Sequence, residues 1–150
     1  MTEDIPPCNI RIDKDGNWYY RGAPMIRKDI YLFFNRHIEK DPNGRYLLHI
    51  DDQKCYLEVE DTPFVIKRVD RVDDFKVLLN DATQEALSLD TLWVGRNSVL
   101  YCKVKDKRFD ARFGRAPYYQ LAKYIEYDKK KDKYFVLSNE KQYYIEPGDS

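Results

Sequence analysis

The sequence predicts an α+β protein built from two similar strand–helix–hairpin units packed together. Aromatic residues make up 15% of the 150-residue chain, thirteen of them tyrosines, and aromatic side chains favour pleated, half-buried surfaces. Short alternating runs recur between turn residues along most of the length. Two segments exchange that alternation for helical spacing, each soon after an Ala-Pro pair.

Ile10-Arg11-Ile12 alternates, Asp15-Gly16 supplies a tight turn, and Trp18-Tyr19-Tyr20 resumes an extended run, so the chain opens on a hairpin. Gly22-Ala23-Pro24 interrupts it. From Ile26 the apolar residues fall at Ile30, Phe33, Phe34 and Ile38. They form one face of a helix that Pro24 starts and Asp41-Pro42-Asn43-Gly44 stops. Tyr46, Leu48 and Ile50 then alternate, residues 51–54 make a hairpin tip, and Cys55, Leu57 and Val59 run back. Short strands are expected from Phe64 to Val69, Phe75 to Leu79 and Leu87 to Leu89. Residues 99–104 and 109–113 alternate on either side of Asp106-Lys107. A second helix follows Ala116-Pro117, with Tyr118, Leu121, Ala122 and Ile125 on one face. Residues 128–133 read as a solvated, charged loop, and Tyr134 to Leu137 with Gln142 to Ile145 make a last hairpin.

The plan recurs along the chain. Ala23-Pro24 meets Ala116-Pro117 at a shift of 93 residues, and Tyr46 meets Tyr134 at a shift of 88. The second shift lays Cys55-Tyr56-Leu57-Glu58 over Tyr143-Tyr144-Ile145-Glu146. The expected division is residues 1–75 and 76–150. Half-sized modules bury too little surface alone and gain by packing. A cleft between two such units is where ligands tend to bind.

Composition narrows the function. Lys plus Arg and Asp plus Glu stand at 26 each, so the basic excess that phosphate neutralisation asks of a nucleic-acid binder is missing. Residues 1–75 carry a net charge of −3 and residues 76–150 one of +3. That asymmetry either draws the halves together or supplies an anion site. No run approaches the roughly 20 apolar residues of a membrane span. The acidic start, Met1-Thr2-Glu3-Asp4, has no signal-peptide core, so a cytoplasmic protein is expected. Cys8, Cys55 and Cys102 are odd in number, far apart and without a CxxC pair. Reduced thiols are the simplest account, with Cys55 and Cys102 as core fillers. His37 and His49 have no second ligand at helical spacing, so neither a metal centre nor another cofactor is expected.

Phosphate-loop, dinucleotide, nucleophile-elbow and HExxH motifs are all missing. Asp61 arrives on the apolar side of Leu57 and Val59, just before Thr62-Pro63. It either caps that turn or stands, with Glu60, as a hydrogen-bond acceptor or base at a cleft rim. The span from Arg96 to Arg115 holds seven basic residues against Asp106 and Asp110. Arginine forks suit phosphate or carboxylate, and Arg115 stands beside a helix N-terminus; the repeat places Arg27 similarly. The same cations would otherwise pair with Glu58, Glu60 and Asp61.

Several blocks together resemble a known bacterial family. Gly16-Asn17-Trp18 with Tyr20, Gly22-Ala23-Pro24-Met25-Ile26-Arg27, Asp41-Pro42-Asn43-Gly44-Arg45-Tyr46, Val59-Glu60-Asp61-Thr62-Pro63-Phe64 and Arg115-Ala116-Pro117-Tyr118-Tyr119-Gln120-Leu121 look like successive motifs of domain of unknown function 1285. The resemblance implies a duplicated α+β arrangement, a loosely pleckstrin-homology-like second unit, a cleft for a nucleotide-like anion and a role in signal transduction. The leading expectation is therefore a binding or regulatory protein. Arg27, Arg112 and Arg115 would meet an anionic small molecule, while Glu60 and Asp61 accept hydrogen bonds from its base or sugar. A protein-interaction module with a protein partner is the alternative, and an enzyme using Asp61 or Glu60 as base comes third.

Overall fold

A computed structural model describes residues 4–148; the acidic start at Met1, Thr2 and Glu3 lies outside them. The chain is mixed α+β, mostly sheet, with two α-helices among the described residues. It divides into two compact units between Pro63 and Phe64.

In the first unit, β1 (Pro7–Ile12) and β2 (Trp18–Tyr20) form the expected hairpin, with Ile10 opposite Tyr20 and Ile12 opposite Trp18. The Asp13 carboxylate accepts the backbone N–H groups of Asp15 and Asn17, each at 2.9 Å, and Gly16 supplies the left-handed turn residue at φ 83°. Ala23 and Pro24 do not open a helix. They form the short edge strand β3 (Ala23–Pro24) beside β2, a place where proline's missing N–H interrupts no interior ladder. Helix α1 spans only Lys28–Asn35. Its expected outer members are used elsewhere: Ile26 is exposed, and buried Ile38 belongs to β4 (Ile38–Lys40), opposite Leu48. The early end has a local cause, since the His37 N–H bonds to the Phe34 carbonyl and turns the chain out of the helix. Asp41-Pro42-Asn43-Gly44 therefore links β4 to β5 (Tyr46–Ile50), and β6 (Gln53–Val59) returns antiparallel. The sheet order is β3-β2-β1-β6-β5-β4, with β1 and β6 parallel. That parallel pair joins Cys8 to Cys55 in a disulfide across 47 positions, which corrects the expectation of reduced thiols.

The second unit is larger. Its main sheet contains β7 (Phe64–Val72), β8 (Asp74–Leu79), β9 (Gln84–Ala86), β10 (Trp93–Val94), β11 (Leu100–Val104), β12 (Phe109–Phe113) and, from the end of the chain, β16 (Glu146–Pro147). The order is β16-β10-β11-β12-β7-β8-β9. Thus β7, which the sequence division puts in the first half, is a central strand of the second unit. Residues 87–89 are no strand: a 3-10 turn at Leu89–Thr91 sinks Leu87, Leu89 and Leu92 into the core. Helix α2 (Arg115–Ala122) carries Pro117 in its first turn, where no donor is missed. Ile125 leaves it for β13 (Ile125–Asp128), which forms a three-stranded sheet with β14 (Lys133–Ser138) and β15 (Lys141–Tyr144).

A helix followed by three antiparallel strands occurs in each unit, as α1-β4-β5-β6 and α2-β13-β14-β15. The helices begin 87 residues apart, at Lys28 and Arg115, so the 93-residue shift taken from the Ala-Pro pairs is not the register of these elements.

Candidate functional site

A cavity of about 730 Å³ opens inside the first unit, and every residue that lines it comes from that unit. Strand alternation builds its floor. Cys8 and Ile10 lie two apart on β1, Leu48 and Ile50 two apart on β5, and Gln53 and Cys55 two apart on β6. Leu48 pairs with Cys55 and Ile50 with Gln53, which sets these side chains on one face. Tyr20 on β2 and Pro24 on the edge strand β3 extend it. The other wall is the approach to α1, through Met25, Ile26 and Arg27, and the helix residues Ile30 and Phe34. Ile30 and Phe34 are four apart and so share a helix face.

The lining is almost wholly apolar. Its two charged members, Arg27 and Lys54, are both cations, and Gln53 adds one amide. Arg27 is the extended residue that precedes α1. Its guanidinium forks onto Asp29, with Nε donating to Oδ1 at 3.2 Å and an Nη donating to Oδ2 at 2.7 Å. Those bonds raise Arg27 above and hold Asp29 below their ordinary ionisation ranges.

Of the five residues singled out from sequence, Arg27 borders this cavity. Glu60 and Asp61 follow the end of β6 and are not among its lining. Glu60 is exposed and reaches Arg11 at 3.6 Å. Arg112 and Arg115 belong to the second unit, Arg112 half-buried on β12 between Tyr101 and Val65, Arg115 exposed at the start of α2. The basic span there is largely satisfied within its own unit. Lys103 donates to Asp110 at 2.9 Å, Lys105 to Asp81 at 2.7 Å and Lys107 to Asp90 at 2.8 Å. Burial disfavours the charged Asp81, but hydrogen bonds from Lys105 and Thr83 outweigh it and hold the carboxyl below its usual range. The displaced carboxyls Asp13, Asp29, Asp41, Asp81, Asp90 and Asp128 are all pulled down, the opposite of what a general base poised near neutrality requires.

Lys54, Gln53 and Cys55 were missed as pocket residues because the period count placed Lys54 in a hairpin tip and Cys55 in a core. A cluster of three or more metal-binding side chains is not found among the described residues. Nor is any helix there long and apolar enough to cross a membrane.

Solved structures share the fold. The fold is similar to the crystal structure of a DUF1285 family protein from Silicibacter pomeroyi DSS-3, with a TM-score of 0.77 at 18% identity over 93% of this chain and 80% of that one. It is also similar to a DUF1285 family protein from Shewanella baltica OS155, with a TM-score of 0.66 at 20% identity over 78% of this chain and 91% of that one. These likenesses bear out, at the level of fold, the resemblance carried by the sequence blocks. The chain belongs to the family described as "Protein of unknown function (DUF2946)", whose model matches residues 4–141. No curated protein matches it.

Proposed function

We propose that this is a binding protein with a regulatory or signalling role, which holds an anionic small molecule with an apolar body in the cavity of its first unit. One observation carries the reading: a cavity of about 730 Å³, within the size range of small-molecule sites, whose lining is apolar and whose charged members are Arg27 and Lys54. The apolar walls would hold the body of the ligand and the cations its charged end. A nucleotide fits this lining less well, since its base and sugar edges need several polar partners and Gln53 is the one uncharged amide present. Of the sequence-derived contacts, the reading retains Arg27 and adds Lys54. A thermal-shift panel of amphipathic anions, nucleotides and sugar phosphates tests it. A ligand at a hundredfold excess over its Kd should add about 2.7 kcal/mol of stability, and silence across the whole panel would sink the reading.

The cytoplasmic location is a proposal too, and the disulfide weighs against it, because such bonds are rare in reducing compartments. A second reading, a protein-interaction module using the second unit, is favoured by exposed Tyr119, Tyr127, Tyr134 and Leu137 on that unit. Co-purification of one partner, with no response to small molecules, would decide for it.

A further inference from the structure

We propose that the Cys8–Cys55 disulfide is a redox latch on the pocket. Cut by a dithiol, it releases the Pro6–Cys8 segment from β6 and weakens ligand binding. The ligand half of this inference rests on the pocket reading above; the movement of the segment does not.

The start of β1 is joined to β6 in an unusual way. Arg11 and Ile12 pair in register with Glu58 and Val59, yet Pro7 lies opposite Tyr56, so four steps along β1 match two along β6. Left-handed Asn9, at φ 62°, lies in the surplus. Its carbonyl bonds the Arg21 N–H, on the far side from β6. Beyond that break the ladder is thin. Pro6 and Pro7 have no N–H to give, and the segment is tied to β6 by the single Pro7–Tyr56 strand pairing, in which the Tyr56 N–H bonds the Pro6 carbonyl at 2.9 Å, and by the disulfide. Pro6 and Cys8 line the cavity, as does Cys55. Both bonded cysteines are half-buried and border the open cavity, whereas free Cys102 is fully buried and burial pushes its thiol up.

The chemistry balances. One thiolate of the dithiol attacks a sulfur of the pair, forming a mixed disulfide and expelling the other sulfur, which takes a proton. The second thiol of the reductant then displaces the first protein sulfur, which is protonated in turn. The protein gains two electrons and two protons, and the dithiol becomes a cyclic disulfide. With the covalent tie gone, a wall that was fixed must be ordered again each time a ligand enters.

The test uses anilinonaphthalene sulfonate, an anion with an apolar body, titrated into the oxidised protein, the dithiothreitol-reduced protein and the Cys8→Ser/Cys55→Ser variant. Hydrogen exchange is followed in parallel. The expected result is binding about tenfold weaker in the two open forms, with exchange quickened most at the amides of Cys8, Asn9, Ile10 and of Tyr56, whose N–H bonds the Pro6 carbonyl, and with recovery when the reduced protein is reoxidised. Equal binding and equal exchange in all forms overturns the latch alone. Exchange quickening by the same factor at every amide of the first unit, with no excess at Cys8, Asn9, Ile10 and Tyr56, also overturns it, since the bond would then act on global unfolding alone. Local opening with no probe bound in any form overturns the pocket reading, and with it the ligand half of this proposal.

Discussion

The two units solve the same problem by different means. The second packs Phe64, Val65, Ile66, Val77, Leu79, Leu100, Val104, Ala111 and Phe113 into a seven-stranded sheet and lays Leu121 of α2 on it. Gln120 of that helix accepts the Val69 N–H at 2.8 Å. Buried Asp81 is met by Lys105 and Thr83. The first unit has a shorter list, chiefly Ile10, Ile12, Trp18, Ile38, Leu47, Leu48 and Leu57, and the one buried residue of α1 is Asn35. The Asn35 amide and Trp18 Nε1 have no hydrogen-bond partner among the described residues. Where α1 would otherwise close down on the sheet there is a cavity, and a covalent bond stands where more packing would be. The small core stapled by a disulfide keeps an apolar hollow of about 730 Å³, whereas the hollows of the second unit are smaller, about 450 and 410 Å³, and carry charged side chains of both signs in their linings.

One tryptophan lies in each unit, Trp18 and Trp93, so the contrast can be broken or sharpened by following both. Removing the cross-link should have the largest effect. Loop-closure entropy for the 47-residue separation gives about 4 kcal/mol, so Cys55→Ser should lower the denaturant midpoint seen by Trp18 and spare that of Trp93. A coincident fall of both signals would show that the units do not unfold separately. The converse variant, Asp81→Ala, strands Lys105 and should cost the second unit about 2 kcal/mol, reported by Trp93.

Acid gives the same pair a second reading. The folded Asp81 carboxyl is held below its ordinary value, so its stabilisation is complete above the unfolded pKa of about 3.9 and is lost as pH falls through the lower folded value. Acid titration of the Trp93 midpoint should show that loss, and Asp81→Asn should remove it. Smaller and of opposite sign, Asn35→Leu should stabilise the first unit by about 1 kcal/mol, because an unpaired buried amide gives way to apolar contact. Calorimetry would show it as a raised Tm. Asp29→Asn should leave stability unchanged within error. It frees the Arg27 fork, so affinity for an anionic probe should rise, and an unchanged titration would separate Arg27 from the site.

Much of the sheet structure was legible because its signal is local. Ile10 to Ile12, Tyr46 to Ile50, Cys55 to Val59 and Phe109 to Phe113 announce strands by alternation alone, and Asp15-Gly16 announces its turn. Helix limits were not legible. Ile26 and Ile38 extend the apolar period of α1, yet one is exposed at the pocket and the other is taken by β4, so a period count could not see where the chain turned. The Ala-Pro pairs misled for a related reason, since proline suits an edge strand as well as a first turn. Of the candidate site, Arg27 was found through the repeat, which set it, like Arg115, at the opening of a helix; it is the residue just before α1. Lys54 and Gln53 carried no signal beyond a hairpin tip.

Alternation and turn residues, both short-range properties, determined the α+β class and most of the strands, and composition determined that the chain carries no net basic excess. Tertiary structure alone decided that β1 runs parallel to β6, that Cys8 meets Cys55, and that β7 begins the second unit instead of ending the first. Each of those facts is a pairing between distant segments. Which strands pair depends on how loop-closure entropy is offset by contacts that exist only once the whole sheet has formed.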